Sequence, residues 1–347
     1  MDKIMSKYYF DDLKKISQTI EYIEKLRNKS FFITGCNGLI CSALIDLLII
    51  LNDSEELNIQ IYLATRNIEK TKNRFPINEK KYLKLFEYDA IRDFSISDKV
   101  DFFIHGASNS NPSLYYYSPI ETMNGNIIGI SNILRQAKKI NSRVLYISSS
   151  EVYGLLDKQN EPIKENQYGY IDFLNPRSSY AMAKRTSESL CAFYSSEYNV
   201  DTVIVRPGHI YGPTALSSDN RVASQFLFDV LESKQIVLKS KGEQIRSYTH
   251  CFDCATAILC VLINGNSGEA YNISNSSSIV SIREMANEFA RQGNVKLKFE
   301  IKENTGNKLF NPMNNSSLDS TKLESLGWKG FYDLRLGIMN TIKSKQM

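Results

Sequence analysis

Tyr180 and Lys184 stand four residues apart, so on a helix they share one face. A free phenol is a weak base at neutral pH because it ionises near about pH 10. A lysine cation one turn away favours the phenolate, and a phenolate can take a proton from an alcohol. Upstream lies Ser148-Ser149-Ser150-Glu151-Val152-Tyr153-Gly154. At the C-terminal end of a strand, the Ser149 hydroxyl could bind the oxygen that Tyr180 deprotonates. Glu151 adds a carboxylate able to act as general acid or base, or simply to hydrogen-bond at the surface. A Ser-rich turn is the bland alternative, and the presence of Tyr180 and Lys184 downstream weighs against it.

This chemistry needs an electron acceptor, and Thr34-Gly35-Cys36-Asn37-Gly38 points to one. It follows an apolar strand and opens an apolar helix. Gly35 permits a tight turn, and Gly38 lets the backbone approach a pyrophosphate at the helix N-terminus. Cys41 occupies the place of the usual third glycine. An oxidised nicotinamide held there would further favour the Tyr180 phenolate. The second strand ends in Ala64-Thr65-Arg66-Asn67, without the acid that commonly binds the ribose of NAD. Arg66 suits the 2′-phosphate of NADP, a stack on adenine, or plain solvation. Asp89-Ala90 is a candidate adenine contact. Cys251 and Cys254 have metal-ligand spacing, but no second pair follows, so no metal site is expected.

Around these motifs, short apolar strands alternate with helices. Strands are expected at 31–34, 59–64, 82–86, 101–104, 143–147 and 201–205. Helices are expected at 9–27, 38–51, 119–141, 179–198 and 253–264, the last capped by Asp253. This order predicts an α/β fold: a Rossmann-type, doubly wound parallel sheet with a smaller C-terminal substrate-binding lobe. The expected division is an N-terminal helical extension (1–28), a nucleotide-binding domain (29–207 plus 252–269) and a lobe from 208–251 and 270–347. The first helix reads as a packing or oligomer element.

Among 347 residues, 42% are hydrophobic and 23% charged, with a net charge of +4. No basic block is interleaved with aromatics, which argues against nucleic acid as a partner. No apolar run reaches membrane-spanning length, and the N-terminus lacks an apolar signal core. With six scattered cysteines, a cytoplasmic protein is expected, not a membrane one.

Together these motifs resemble the nucleotide-sugar epimerase/dehydratase family of extended short-chain dehydrogenase/reductases. The resemblance runs from about Lys29 to about Ile342. It includes His105-Gly106-Ala107, Asn126, Arg206-Pro207, Tyr211-Gly212-Pro213, Arg246 with Asp253, and Leu326-Gly327-Trp328. Within the family, Ser149-Ser150-Glu151, the run from Arg177 to Arg185 and Asp219-Asn220-Arg221 most resemble UDP-glucuronate decarboxylases. Ser150 departs from the aspartate of dTDP-glucose dehydratases.

The resemblance implies transient oxidation of a nucleotide diphosphate sugar at C4 by tightly bound NAD, NADP being allowed by Arg66. It implies catalysis by Ser149, Glu151, Tyr180 and Lys184. Cofactor contacts would come from Gly35, Asn37, Gly38, Leu39, Ile40, Arg66, Asp89, Ala90, Gly106, Ala107, Ser108, Asn126, Tyr180, Lys184 and Pro207. Ser150, Glu151, His209, Arg221 and Arg246 would contact substrate, and a homodimer through the Tyr180 helix is implied. His209 replaces a common asparagine, and Arg246 suits either diphosphate or a sugar carboxylate. The leading expectation is a UDP-hexuronate decarboxylase. Alternatives are a 4-epimerase or 4,6-dehydratase, and a non-catalytic NAD(P)-binding regulatory protein.

Overall fold

The computed structural model describes residues 5–108, 112–156, 161–301 and 313–346. The first half alternates helix and strand: α1 (Lys7–Ser17), β1 (Ser30–Thr34), α2 (Leu39–Glu55), β2 (Gln60–Thr65), α3 (Ile68–Arg74), β3 (Leu83–Glu87) and β4 (Phe102–His105). It continues with α4 (Pro112–Tyr117), α5 (Pro119–Ile140), β5 (Arg143–Ile147), α6 (Ser179–Tyr198) and β6 (Thr202–Pro207). The smaller lobe then begins with β7 (His209–Tyr211), α7 (Val222–Leu231), β8 (Ile236–Leu238) and β9 (Ile245–His250). After α8 (Cys251–Asn264) and β10 (Glu269–Ile273) come β11 (Ile279–Ser281), α9 (Ile282–Gly293), β12 (Leu297–Phe299), β13 (Asn315–Ser316), α10 (Thr321–Glu324) and α11 (Leu334–Lys345).

The main sheet runs β10-β6-β5-β4-β1-β2-β3, with every neighbouring pair parallel. Strand side chains alternate between its faces. Phe31 and Ile33 join one apolar cluster with α2 and α8, while Phe32 joins another with Ile130, Ile133 and Leu134 of α5. Burial on both faces makes the sheet doubly wound. Strand order reverses between β1 and β4, and the crevice at that switch point takes a ligand in such folds.

Three expectations need correction. The helix expected over 9–27 ends at Ser17, and residues 23–26 form a separate 3₁₀ turn. Ser17 Oγ donates to the Lys14 carbonyl and Thr19 Oγ1 to that of Ile16, so side chains compete for the helix's acceptors. Asp253 is not the cap of its helix. His250 caps α8, its Nδ1 accepting from the Phe252 amide at 3.2 Å. Asp253 instead accepts from the amides of Phe331 and Tyr332 and from Asn275 Nδ2. Finally, residues 270–273 belong to the main sheet as part of β10, because α8 returns the chain beside β6.

The N-terminal helix is anchored internally. Asp12 accepts from Tyr332 Oη at 2.5 Å and from Asn340 Nδ2 near the C-terminus, all buried. Tyr9 Oη donates to Asp46 of α2 at 2.5 Å, and Arg74 pairs with the same carboxylate.

Candidate active site

The nucleotide end is built by β1, β4 and α2. Gly35 has φ +71°, and a Cβ there would lie 2.6 Å from the Gly106 carbonyl oxygen. Gly38 caps α2 without a side-chain hydrogen bond, leaving the first-turn amides, from Leu39 and Ile40 onward, facing the crevice. Thr34 Oγ1 accepts from the Gly106 and Ala107 amides at 3.1 Å each and meets His105 Nδ1 at 2.9 Å. Cys41 marks the close helix–strand contact expected of a small residue: a Cβ on Gly106 would sit 2.4 Å from its sulfur.

Asn37 Nδ2 donates to Thr71 Oγ1 at 2.8 Å, and Asn126 Nδ2 to the Thr122 carbonyl at 2.8 Å. Among the described residues the amide oxygens of both are buried without a partner, as acceptors reserved for ligand hydroxyls would be. Arg66 is exposed at the end of β2. Asp89 accepts from the Ile91 amide, and the Ala90 carbonyl is held by Asn132. Pro207 closes β6 opposite Ile273, and Ser108 follows Ala107 at the end of β4. This cradle fits a dinucleotide.

The residues expected to be catalytic meet where β5 ends and α6 begins. Ser149 caps the 3₁₀ helix 150–153 by accepting from the Glu151 amide at 3.2 Å, and its hydroxyl favours the ionised form of Tyr180. Ser150 beside it is buried. Tyr180 lies in the first turn of α6, and its ring stacks on Tyr115 of α4 at 4.3 Å and 6°. Lys184 Nζ donates to the Ile147 carbonyl at 2.7 Å and lies 5.6 Å from the Tyr180 ring.

Burial governs the ionisation of both. It pushes the Tyr180 phenol up to about 12, with the nearby Glu151 charge adding to the shift. It pushes the Lys184 ammonium down to about 7. In the protein alone, therefore, desolvation outweighs the phenolate-favouring effect expected of Lys184.

On the substrate side, His209 of β7 is neutral: burial, aided by Arg246 and Arg221, drives it down to about 3. Its Nδ1 is buried without a partner among the described residues. Arg221 precedes α7 and grips Asp219 through Nε at 2.9 Å and Nη2 at 2.5 Å. Its fork is thus committed within its own turn. Arg246 of β9 is 4% exposed, and its Nη1 donates to the carbonyls of Ile245 at 2.8 Å and Asn314 at 3.4 Å. Among the described residues it forms no ion pair.

The arrangement is a dinucleotide cradle facing a Ser–Tyr–Lys set, and residues 31–274 match the NAD dependent epimerase/dehydratase family. The chain belongs to that family. Among curated members, it is 30% identical over 259 residues to UDP-glucuronic acid decarboxylase 1 of Xenopus tropicalis, covering 74% of this chain and 58% of that protein. It thus spans under two thirds of that relative's length. UDP-glucuronic acid decarboxylase 6 of Arabidopsis thaliana is 30% identical over 329 residues, covering 90% of each. The UDP-N-acetylglucosamine 4-epimerase of Methanobrevibacter ruminantium superposes with a TM-score of 0.77 at 20% identity, covering 91% of this chain and 98% of the other. That likeness supports the epimerase/dehydratase fold.

Two residues of the site are missing from the sequence reading of its roles. Arg177 lies in Arg-Ser-Ser-Tyr, just ahead of α6, and is bonded to Glu151. Tyr115 sits in a Tyr-Tyr-Tyr run with no spacing signal of its own.

Proposed function

We propose that the chain is an NAD-dependent decarboxylase of a UDP-glucuronate-type nucleotide sugar. The observation that carries this reading is Arg246, a buried guanidinium without an ion pair among the described residues, within the field of Glu151. A buried cation needs an anion, and a sugar carboxylate or a diphosphate would supply one. The curated relatives with that activity in their names favour the carboxylate.

Gly35, Asn37 and Gly38 would hold the pyrophosphate and ribose, while Asn126, Tyr180 and Lys184 would face the nicotinamide half. Bound NAD would accept hydride from the sugar C4 and return it at the end. Tyr180 takes the proton of the C4 hydroxyl, and Ser149 holds the same oxygen. The C4 ketone is β to the C5 carboxylate, so the bond to that carboxyl breaks and carbon dioxide leaves. Its electron pair flows into the enolate. Glu151 acts after oxidation, managing the proton that C5 gains.

Incubating the purified protein with UDP-glucuronate, without added cofactor, tests the proposal by mass spectrometry. Loss of carbon dioxide supports it and shows that cofactor copurifies. Unchanged substrate overturns it, and neutral nucleotide hexoses would then be scored for water loss or inversion. We further propose a homodimer. Ile120 and Ile128 of α5 and Phe193 and Tyr198 of α6 are exposed on two helices packed together.

A further inference from the structure

Glu151 does not stand alone beside Tyr180. Arg177 Nη1 donates to Glu151 Oε2 at 2.8 Å, and Nη2 donates to Oε1 at 2.9 Å. This fork-to-fork geometry is the strongest form of a carboxylate–guanidinium pair. It is largely dry: the arginine side chain is 11% exposed and the glutamate 21%. Arg177 is also rigidly placed. Asn175 caps the 3₁₀ turn 176–178 by accepting from the Arg177 amide at 3.0 Å, Pro176 fixes the entry, and the turn runs directly into α6.

The other side of the arginine closes a ring of contacts. Its guanidinium lies 5.2 Å from the centre of the Tyr115 ring, which stacks on Tyr180. Ser179 Oγ locks Tyr115 in place by donating to its carbonyl at 2.8 Å. The pair therefore reaches the phenol in two ways, through the charge of Glu151 and through the Tyr115 stack.

We propose that Arg177 is a positioning residue that aims Glu151 and offsets its charge, so that the carboxylate near Tyr180 opposes the ionisation of the phenol less than a bare one would. The proposal rests on the reading of Tyr180 as the base. A bare carboxylate there would hold the phenol protonated, and the site needs Tyr180 ionised before Glu151 can act on an oxidised sugar. The pair satisfies both demands. The other ionisable groups around the phenol are Tyr115 of α4, Tyr146 of β5, Lys184 of α6 and Arg221 ahead of α7. Arg221 is engaged by Asp219 and Arg246 interacts with Glu151 only at longer range, so among the described residues Arg177 is the cation paired with Glu151.

The test compares Arg177→Met, Arg177→Lys and the double variant Glu151→Gln/Arg177→Met with the wild type, all loaded with NAD. One readout is the pH profile of cofactor reduction during a single turnover, using the nucleotide sugars that the wild type oxidises. The other is the carbon resonance of Cζ-labelled tyrosine, assigned to Tyr180 by its loss in Tyr180→Phe. Arg177→Met moves both to higher pH by on the order of one unit, and reduction at neutral pH falls about tenfold. The lysine variant restores the profile. The double variant returns to the wild-type position, because the offending charge is gone. A merely structural arginine would lower activity without a pH shift that glutamine reverses. An unshifted profile in Arg177→Met, or a shift that persists in the double variant, overturns the proposal. The resonance needs no substrate. A wild type that oxidises nothing therefore sinks the proposed function and leaves Arg177 to be judged by Tyr180 titration.

Discussion

The chemistry of single residues turns on how burial is offset. Tyr180 and Lys184 are each moved by desolvation against the state the proposed reaction needs, so in that reaction bound ligands would have to supply compensating charge. Replacing Tyr180 with phenylalanine should lower turnover by about 10²–10⁴-fold while NAD binding persists, measured by turnover and by cofactor titration. Lys184 also leaves a mark on stability. Its folded pKa, about 7, lies below the ordinary lysine value of 10.5, so between these limits the unfolded chain binds more protons. The cost of burying the charge is thus full below pH 7 and fades as pH rises. Urea unfolding of the cofactor-free protein should show the wild type gaining on Lys184→Met by about 1 kcal/mol per pH unit from about pH 7 to about pH 9. Ser149, Tyr180 and Lys184 were legible because their spacing on one strand end and one helix face fixes their meeting. The Arg177–Glu151 pair and the Tyr115 stack were not. They join separate segments, and no local period records which arginine meets which acid.

Whole elements carry the second set of demands. The first turn of α2 is open to a ligand only because Gly35 bends left-handed under the Gly106 carbonyl. Gly35→Ala should weaken NAD binding at least about tenfold and cost on the order of 1–3 kcal/mol of stability, read by titration and by denaturant unfolding. The link between α1 and the C-terminal segment is equally specific. Asp12→Ala would strand the buried Tyr332 hydroxyl and Asn340 amide, costing about 1–3 kcal/mol per donor, checked by the same unfolding assay. Strands β1 to β6 were readable from short apolar runs between helices. The break after Ser17 was hidden because Ile20, Ile23 and Leu26 keep the helical period while hydroxyls end the helix. Asp253 looked like a cap by residue type, yet its partners come from residues 275, 331 and 332, which local sequence cannot announce.

At the scale of the molecule, the exposed apolar positions on α5 and α6 bear on assembly. Ile120, 72% exposed, is a suitable probe. If the proposed dimer forms through this face, Ile120→Asp should shift it to monomer in sedimentation without changing its far-ultraviolet dichroism; an unchanged mass would overturn that interface. The sheet itself has a consequence for synthesis. β6 is flanked by β5 and by β10, but residues 208–268 of the small lobe and α8 separate β6 from β10 in the chain. On the ribosome, at about 5–20 residues per second, that side of β6 waits several seconds for its partner. For that interval Thr202–Pro207 is an open strand edge, the feature through which nascent chains stick to one another. The segment that carries His209, Arg221 and Arg246 is thus also the delay during which the unfinished sheet has to be shielded.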